Sequence, residues 1–258
     1  MKDVRAAFFD LDKTVIAKSS MVALGPELHA RGLLHRRTLI RAGLGQMWFQ
    51  RFGADDRRLA KVRETVLKIT RGWDQDEVRR MVRETLGQVI EPLIYAEALE
   101  LIDHHLAEGH EVFLVSSAPA EIVEPFAELL EITGAISSRS TIDEHGKFTG
   151  EMEFFAEGAN KAVAIRELAV RRGIDLDESF AYSDSETDTP MLEAVGHPFA
   201  VNADRALTRI AHERQWPLLT FTHPVTALSR SKSHTPFFVS ALIVGAAAVL
   251  GGARFQRR

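Results

Sequence analysis

RAAFFDLDKT, residues 5–14, is the stretch of the chain that decides the fold. It begins as a short, uninterrupted apolar run, which is typical of a parallel strand buried on both faces. The run ends in Asp10 and Asp12, whose side chains share one side of an extended chain because side chains alternate along it. A buried strand that ends in two acids predicts an α/β fold with its functional site at the carboxyl end of the sheet.

Similar apolar runs recur along the chain and extend this prediction. They are VFLVSS at 112–117, FAYSD at 180–184 and PFAVN at 198–202. The stretches between them have apolar residues at helical spacing. Helices are predicted over 95–107 with a stop at Gly109, over 160–172 with an end at Gly173, and over 205–214 with a cap at Asp204. This alternation of strands and helices is typical of crossover connections and predicts a parallel sheet.

Residues 18–90 differ, because they contain no strand-like run and their apolar residues follow a helical period. Asp74 is the predicted N-cap of a helix that ends before Pro92. Further along, HGK between two apolar residues predicts a β-hairpin within 138–152. We therefore divide the chain into a core at 1–17 and 91–228, an inserted helical cap at 18–90, a linker at 229–235 and a terminal segment at 236–253.

The composition excludes several classes of function. The chain of 258 residues has no cysteine, so its chemistry cannot rest on a thiol, a disulfide or a thiolate metal site. The net charge is −4, and the part before residue 228 is more acidic still, since the rest carries basic residues and no acid. Such a body is a poor binder of nucleic acid. The first residues lack the long apolar core of a secretory signal, which predicts a cytoplasmic body.

The terminal segment PFFVSALIVGAAAVLGGA, residues 236–253, carries no charge and follows a polar linker. At ~1.5 Å per residue, a helix of this length is just able to span a bilayer core of ~30 Å. We predict a transmembrane or membrane-associated helix. The alternatives are a buried terminal helix and an interfacial or re-entrant helix, since basic residues flank both ends nearly equally.

Two of the groups that hydrolysis of a phosphate monoester needs are present in Asp10 and Asp12. The first acid can act as the nucleophile, and the second can give a proton to the leaving oxygen. Taken alone, such a pair is also typical of a solvated turn or a helix cap.

Partners for a phosphate follow later in the chain. Ser116 precedes a predicted helix, where a hydroxyl and free N–H groups can seat a phosphate, although a simple N-cap is the alternative. Lys161 opens a helix, which suggests a nearby anion, although a solvated lysine is more common. Asp184 and Asp188 have oxygens that suit Mg²⁺, although they also fit an ordinary turn. The joint order of acids, hydroxyl, lysine and acids favours one site at the carboxyl ends of successive strands.

In that order, DLDKT, the serine of VSSAP, the lysine of GANKAVAIREL and YSDSETDTPML resemble the four motifs of the haloacid dehalogenase superfamily, most closely its phosphoserine-phosphatase-like subfamily IB. The resemblance covers roughly residues 5–220 and implies a Rossmann-like parallel-sheet core with an inserted helical cap. It implies that Asp10 is the nucleophile and that Asp12 is the general acid and then the base. It further implies loop support by Thr14, phosphate binding by Ser116 and Lys161, Mg²⁺ binding by Asp10, Asp184 and the Asp12 carbonyl, and orientation of Lys161 or a metal-bound water by Asp188.

The chain departs from the family pattern at two places. Ser183 and Ser185 stand where the common GDGxND pattern has glycines, and no acid is lost there. Phosphoserine phosphatases are similar to this chain but have a glutamate shortly after the first motif that binds the substrate amine, where this chain has Ser19 and Ser20. The sequence therefore disfavours free phosphoserine as the substrate.

Other candidate features are interpreted as structural. His104 and His105 are adjacent on a predicted helix and cannot face one metal, so we interpret both as surface or boundary residues. The aromatic stretch 44–52 is predicted to be core between cap helices, with a substrate pocket or a membrane contact as the alternatives.

The sequence thus predicts a Mg²⁺-dependent phosphatase with an aspartyl-phosphate intermediate. Its expected partners are a phosphorylated small molecule or lipid and, through the tail, the cytoplasmic face of a membrane; nucleic acid is not expected. A soluble small-metabolite phosphatase, phosphoserine phosphatase included, is the alternative. A non-catalytic membrane scaffold is disfavoured, because such family members usually lack the nucleophile or the metal carboxylate and this chain has both.

Overall fold

The computed structural model describes residues 4–34 and 56–224, with side chains described from residue 63 onward in the second range. In these residues the chain forms a seven-stranded sheet of strand order β4-β3-β2-β1-β5-β6-β7. All neighbours in the sheet are parallel except β3 and β4. The strands are β1 (Ala6–Phe9), β2 (Glu111–Pro119), β3 (Gly134–Ile142), β4 (Phe148–Phe154), β5 (Phe180–Ser183), β6 (His197–Val201) and β7 (Leu218–Leu219). The predicted α/β class is confirmed.

Helices occupy most of the connections between these strands. They are α1 (Ser20–Ala30), α2 (Asp56–Thr70), α3 (Gln75–Thr85), α4 (Ala96–Ala107), α5 (Ala120–Leu129), α6 (Ala159–Arg172), α7 (Thr189–Leu192) and α8 (Arg205–Arg214). The three predicted core helices correspond to α4, α6 and α8. Gly173 ends α6 in the left-handed conformation, and the Asp204 side chain caps α8 by accepting from the N–H of Leu207 at 2.7 Å.

Strand β1 lies at the centre of the sheet, and its side chains alternate between two buried clusters. Phe8 packs with apolar residues of α6 and α8, whereas Phe9 packs with those of α1, α3, α4 and α5. Every residue of β1 is fully buried. Helices on both faces therefore explain the uninterrupted apolar run, and they leave the carboxyl end of β1 as the place where a polar residue can appear.

The helical insertion is represented by α1, α2 and α3. Asp74 caps α3, as predicted, by accepting a hydrogen bond from the N–H of Glu77 at 3.0 Å. The insertion is joined to the β3–β4 hairpin, because Gly72 donates to the carbonyl of Phe148 at 2.8 Å and Phe148 donates to that of Trp73 at 3.0 Å. The division of the chain into core and cap domains stays a prediction.

The remaining predictions from the sequence have different outcomes in the structure. The hairpin predicted within 138–152 is confirmed as β3–β4, but the parallel pairing of β3 with β2 and the short β7 were not predicted. The aromatic stretch 44–52 and the candidate membrane segment 236–253 lie outside the described residues. Of the helices in 4–34 and 56–224, none combines the length and the apolar character that crossing a membrane requires.

Candidate active site

The residues singled out in the sequence meet at the carboxyl ends of neighbouring strands. Asp10 follows β1, Ser116 lies near the end of β2 and Asp184 follows β5. Strand β1 pairs with both β2 and β5, so the three positions are neighbours at the carboxyl end of the sheet. Lys161 reaches the same end of the sheet from the first turn of α6. The fold therefore brings four segments, distant in sequence, into one cluster.

The centre of the cluster is an ion triad of Lys161 with Asp10 and Asp188. The ammonium group of Lys161 donates to Asp10 Oδ1 at 2.7 Å and to Asp188 Oδ2 at 2.8 Å. The exposed fractions are 7% for Asp10, 3% for Asp188 and 2% for Lys161. Two buried anions thus account for a cation at the start of a helix, where the helix dipole alone would disfavour it.

Burial is the main influence on ionisation in the triad. It raises the pKa of Asp10 well above the ordinary value, while the charge of Lys161 opposes this effect and Asp188 adds to it. Burial by itself would lower the pKa of Lys161, but the carboxylates of Asp10 and Asp188 outweigh it and raise that pKa. Lys161 is therefore charged at neutral pH, and its charge favours the ionised form of Asp10.

Asp12 lies in the loop after β1, and its carboxylate is directed to the beginning of α1 rather than to the triad. Its carboxylate accepts a hydrogen bond from the backbone N–H of Ser20 at 2.8 Å. Burial raises the pKa of Asp12, although the backbone of Ser20 and the hydroxyls of Ser19 and Ser20 favour the ionised form. A carboxyl group with a raised pKa retains a proton more readily near neutral pH, which suits a proton donor.

Ser116 is buried beside the start of α5. Its Oγ accepts a hydrogen bond from the N–H of Ala118 at 3.2 Å, which leaves the hydroxyl proton free to be donated. The first turn of α5, which no side chain caps, follows directly, and the N–H groups at the start of a helix favour anions. Thr14 is also buried, but its hydroxyl has no hydrogen-bond partner among the described residues, so any support that it gives to the loop comes from packing.

Asp184 forms the far side of the cluster. Its Oδ2 lies 3.7 Å from the ammonium group of Lys13, and its backbone carbonyl accepts from the N–H of Asp204 at 2.8 Å. Burial raises the pKa of Asp184 to about 7, and Lys13 moderates this effect. The loop after β5 is therefore tied to the start of α8, while the carboxylate has one salt bridge among the described residues, the long one to Lys13.

The charges and donor atoms of the cluster fit a hard divalent cation. No group of three or more carboxylate or imidazole side chains in the described part of the chain is arranged to hold a metal ion. Mg²⁺ needs fewer, since it typically takes one or two carboxylates and completes its shell with water and substrate oxygens. The cluster has more motif carboxylates than ammonium groups. The carboxylates are those of Asp10, Asp12, Asp184 and Asp188, and the ammonium groups near them are those of Lys13 and Lys161. This excess of negative charge fits Mg²⁺ at Asp10 and Asp184.

A buried histidine network beneath the site was not predicted. His105 is only 2% exposed, so its interpretation as a surface or boundary residue is wrong, whereas His104 is exposed. His105 Nε2 lies 2.8 Å from the hydroxyl of Tyr182, and its Nδ1 lies 2.9 Å from Nδ1 of His110. The carbonyl of Tyr182 accepts from the N–H of Asp10, which links the network to the end of β1. The available signal was the helical spacing of His105 from apolar neighbours on α4.

Comparison with known sequences gives one consistent family. A family model described as "haloacid dehalogenase-like hydrolase" matches residues 7–193. The chain is 45% identical over 251 residues to the "Inhibition of morphological differentiation protein" of Streptomyces azureus, covering 96% of this chain and 91% of that one. It is 43% identical over 249 residues to a "Probable phosphatase" of Mycobacterium tuberculosis, with 96% and 86% covered. A "Phosphoserine phosphatase" of the same organism is 35% identical over 251 residues, with 96% and 78% covered.

Solved structures share the fold. A Bordetella pertussis Tohama I protein described as having unknown function superposes with a TM-score of 0.72 at 26% identity, covering 84% of this chain and 98% of that one. A structure described as a "Phospho-Aspartyl Intermediate Analogue of Phosphoserine phosphatase" gives a TM-score of 0.58 at 17% identity, with 85% and 94% covered. At that identity the likeness concerns the fold alone. The chain therefore belongs to the haloacid dehalogenase-like hydrolase family, and its relatives in that family include proteins named as a phosphatase and a phosphoserine phosphatase.

Proposed function

We propose that the chain hydrolyses phosphate monoesters with Mg²⁺, through an aspartyl-phosphate formed on Asp10. The observation that supports this proposal is the buried contact of Lys161 with the carboxylates of Asp10 and Asp188. Attack on phosphorus requires an ionised carboxylate, and burial alone would protonate Asp10. Lys161 opposes that effect and also places positive charge where the phosphoryl group would lie.

In the first half-reaction, an oxygen of Asp10 attacks phosphorus and the bond from phosphorus to the leaving oxygen breaks. Asp12 gives its proton to that oxygen, a role that its raised pKa suits. The hydroxyl of Ser116 and the N–H groups at the start of α5 bind phosphoryl oxygens. Lys161 offsets the negative charge of these oxygens. In the second half-reaction, ionised Asp12 takes a proton from water, whose oxygen attacks phosphorus. The bond between phosphorus and the oxygen of Asp10 breaks, which releases inorganic phosphate and restores the carboxylate of Asp10.

Mg²⁺ would be held by the carboxylates of Asp10 and Asp184 together with the backbone carbonyl of Asp12. When bound, the ion supplies further positive charge to the phosphoryl oxygens. The raised pKa of Asp184 supports this assignment, because the effect of burial outweighs the charge of Lys13 and a metal ion would stabilise the ionised carboxylate. Asp188, whose Oδ2 accepts a hydrogen bond from the ammonium group of Lys161 at 2.8 Å, would orient the lysine.

For the substrate we propose a phosphorylated small molecule or lipid that meets the enzyme at the cytoplasmic face of a membrane. The support is segment 236–253, whose uncharged length suits association with a bilayer. This segment lies outside the described residues. A cytoplasmic catalytic body docked through that segment is part of the same proposal.

A soluble small-metabolite phosphatase is the alternative. It is favoured by the relative named phosphoserine phosphatase. Free phosphoserine itself is disfavoured, because Ser19 and Ser20 offer hydroxyls beside Asp12 where an acid would be needed for the substrate amine. A non-catalytic scaffold is disfavoured as well, since the nucleophile, the lysine and the metal carboxylate lie together in one buried cluster.

The decisive experiment measures Mg²⁺-dependent phosphate release by the purified full-length chain on a panel of soluble and lipid phosphate monoesters. We expect turnover by the wild-type chain and essentially none by Asp10→Asn, because an amide cannot form the acyl phosphate. Circular dichroism of Asp10→Asn should show the fold retained. Wild-type turnover by that variant, or no turnover by the wild-type chain on any ester, would count against the proposal.

Deletion of residues 233–258 tests the membrane part separately. We expect the shortened chain to leave the membrane fraction while it still hydrolyses a small aryl phosphate. Unchanged membrane fractionation would remove the anchor, and selective turnover of a lipid phosphate by the full-length chain would join tail and active site in one function.

A further inference from the structure

A buried serine outside the four motifs joins the two loops that would hold the phosphate. Ser138 lies in β3, and its hydroxyl donates to the carbonyl of Ser117 at 2.7 Å. The same oxygen accepts from the backbone N–H of Ala156 at 3.1 Å. Ser138 is only 3% exposed, so water cannot readily replace either bond. One side chain therefore bridges the end of β2 and the segment after β4.

The first of these loops, residues 116–118, lies at an irregularity of the sheet. Strand β2 pairs with β3 as far as Ser116 opposite Ser137, and the register then shifts so that Pro119 faces Ser138. A shift of this kind interrupts the regular ladder of backbone hydrogen bonds. The hydroxyl of Ser138 gives the carbonyl of Ser117 a partner at that interruption. Irregularities next to active sites commonly re-aim a side chain, and here the side chain is that of Ser116.

The second loop leads from β4 to the catalytic lysine. Ala156, whose N–H donates to Ser138, is followed by Glu157. The carboxyl group of Glu157 interacts with the charge of Lys161 and with the hydroxyls of Ser117 and Thr187. Helix α6 begins soon afterwards, and Lys161 lies in its first turn. Because the connection is short, a displacement of Ala156 would be passed on to Lys161.

We propose that Ser138 is a positioning residue for phosphate binding, which sets the place of Ser116 relative to Lys161. The inference rests on the proposed function, because that function makes phosphate the ligand of these two side chains. Without the hydroxyl, the carbonyl of half-buried Ser117 and the N–H of fully buried Ala156 would each lose this hydrogen bond, a costly change that favours movement of both loops. Such movement would weaken the binding of substrate and of product phosphate alike.

The test compares Ser138→Ala and Ser138→Thr with the wild-type full-length chain. Affinity for inorganic phosphate is measured by isothermal titration calorimetry with Mg²⁺ present, below the unfolding transition of each variant. We expect Ser138→Ala to bind phosphate about tenfold more weakly, since small displacements of positioning groups have large effects. Threonine keeps the hydroxyl and should restore most of the affinity. Ser140→Ala is the matched control, because it removes a hydroxyl two positions further along β3 and should leave phosphate affinity unchanged.

Wild-type phosphate affinity in Ser138→Ala would overturn the inference even if thermal stability fell, because the serine would then serve folding alone. If Ser138→Ala does not fold, Ser138→Cys takes its place, since a thiol fills the space but is a weak donor and acceptor. Because binding is measured without turnover, wild-type chain that binds phosphate but hydrolyses no ester counts against the proposed function only. Wild-type chain that binds no phosphate overturns the inference on Ser138.

Discussion

The hydroxyl of Ser183 donates a hydrogen bond of 2.7 Å to Oδ2 of Asp188, the oxygen that also receives the ammonium group of Lys161. Ser183 is fully buried at the end of β5. It stands where the common family pattern has a glycine, which offers no hydroxyl. Asp188 is therefore held by two donors, and its orientation does not depend on Lys161 alone.

Ser183→Ala should lower kcat/KM for a phosphate monoester by about three- to tenfold, which corresponds to about 0.5–1.5 kcal/mol for one hydrogen bond. The reason is that Asp188 would hold Lys161 less firmly. Steady-state kinetics on a small aryl phosphate measure the effect. Ser185→Ala is the control, because that hydroxyl bonds within its own loop to Thr187. Kinetics of Ser183→Ala equal to those of the wild-type chain would show that the bond has no part in turnover.

Lys161→Met should move the acid limb of the pH profile of kcat/KM to higher pH and lower its plateau by about a hundredfold or more. Lys161 lowers the pKa of Asp10 against the effect of burial, so its loss raises that pKa further. Asp10 would then ionise only at higher pH, and the ionised form is the nucleophile. Lys161→Arg keeps the charge, so its acid limb should stay near that of the wild-type chain. An unmoved acid limb in Lys161→Met would contradict this account of Asp10.

The features that could be predicted from the sequence are those that depend on residues close together along the chain. The apolar run before Asp10 and the caps at Asp74 and Asp204 depend on neighbouring positions, and the structure has them. The contacts of Ser138 and His105 depend instead on which strands and helices become neighbours, and no local pattern contains that information. The cluster of acids was predicted because the carboxyl ends of parallel strands all lie at the same end of the sheet.

His105 should make stability depend on pH. Burial, and then the neighbouring charges of His110 and His104, lower the pKa of His105 from 6.5 to about 4. The unfolded chain therefore binds a proton more readily than the folded one, so the stabilisation is complete above pH 6.5 and is lost as the pH falls towards 4. The loss amounts to at most about 3.5 kcal/mol, at about 1.4 kcal/mol per pKa unit.

The measurement is the free energy of unfolding in urea at pH 7.5 and at pH 5 for the wild-type chain and for His105→Gln. Other groups titrate in the same window, so the difference between the two chains is the quantity of interest. Between the two pH values the wild-type chain should lose more stability than His105→Gln. His212→Gln, at an exposed position on α8, should behave like the wild-type chain. An equal loss in all three chains would show that His105 is not the group responsible.

Mg²⁺ should raise the thermal unfolding temperature of the wild-type chain, and Asp184→Asn should respond much less. A ligand that binds only the folded state stabilises it by about 2.7 kcal/mol at a hundred times its dissociation constant. Because burial raises the pKa of Asp184 to about 7, the ion has to displace a proton from this carboxyl group at lower pH. The stabilisation by a fixed Mg²⁺ concentration should therefore grow as the pH rises from 6 to 8.

Asp177→Asn provides the matched control, since it removes one negative charge from an exposed position outside the cluster and should keep the full response to Mg²⁺. Differential scanning fluorimetry over a Mg²⁺ titration compares the three chains without reference to turnover. If Asp184→Asn and Asp177→Asn gained the same stability from Mg²⁺, the ion would be bound elsewhere, and the raised pKa of Asp184 would then be a consequence of burial with no part in binding the ion.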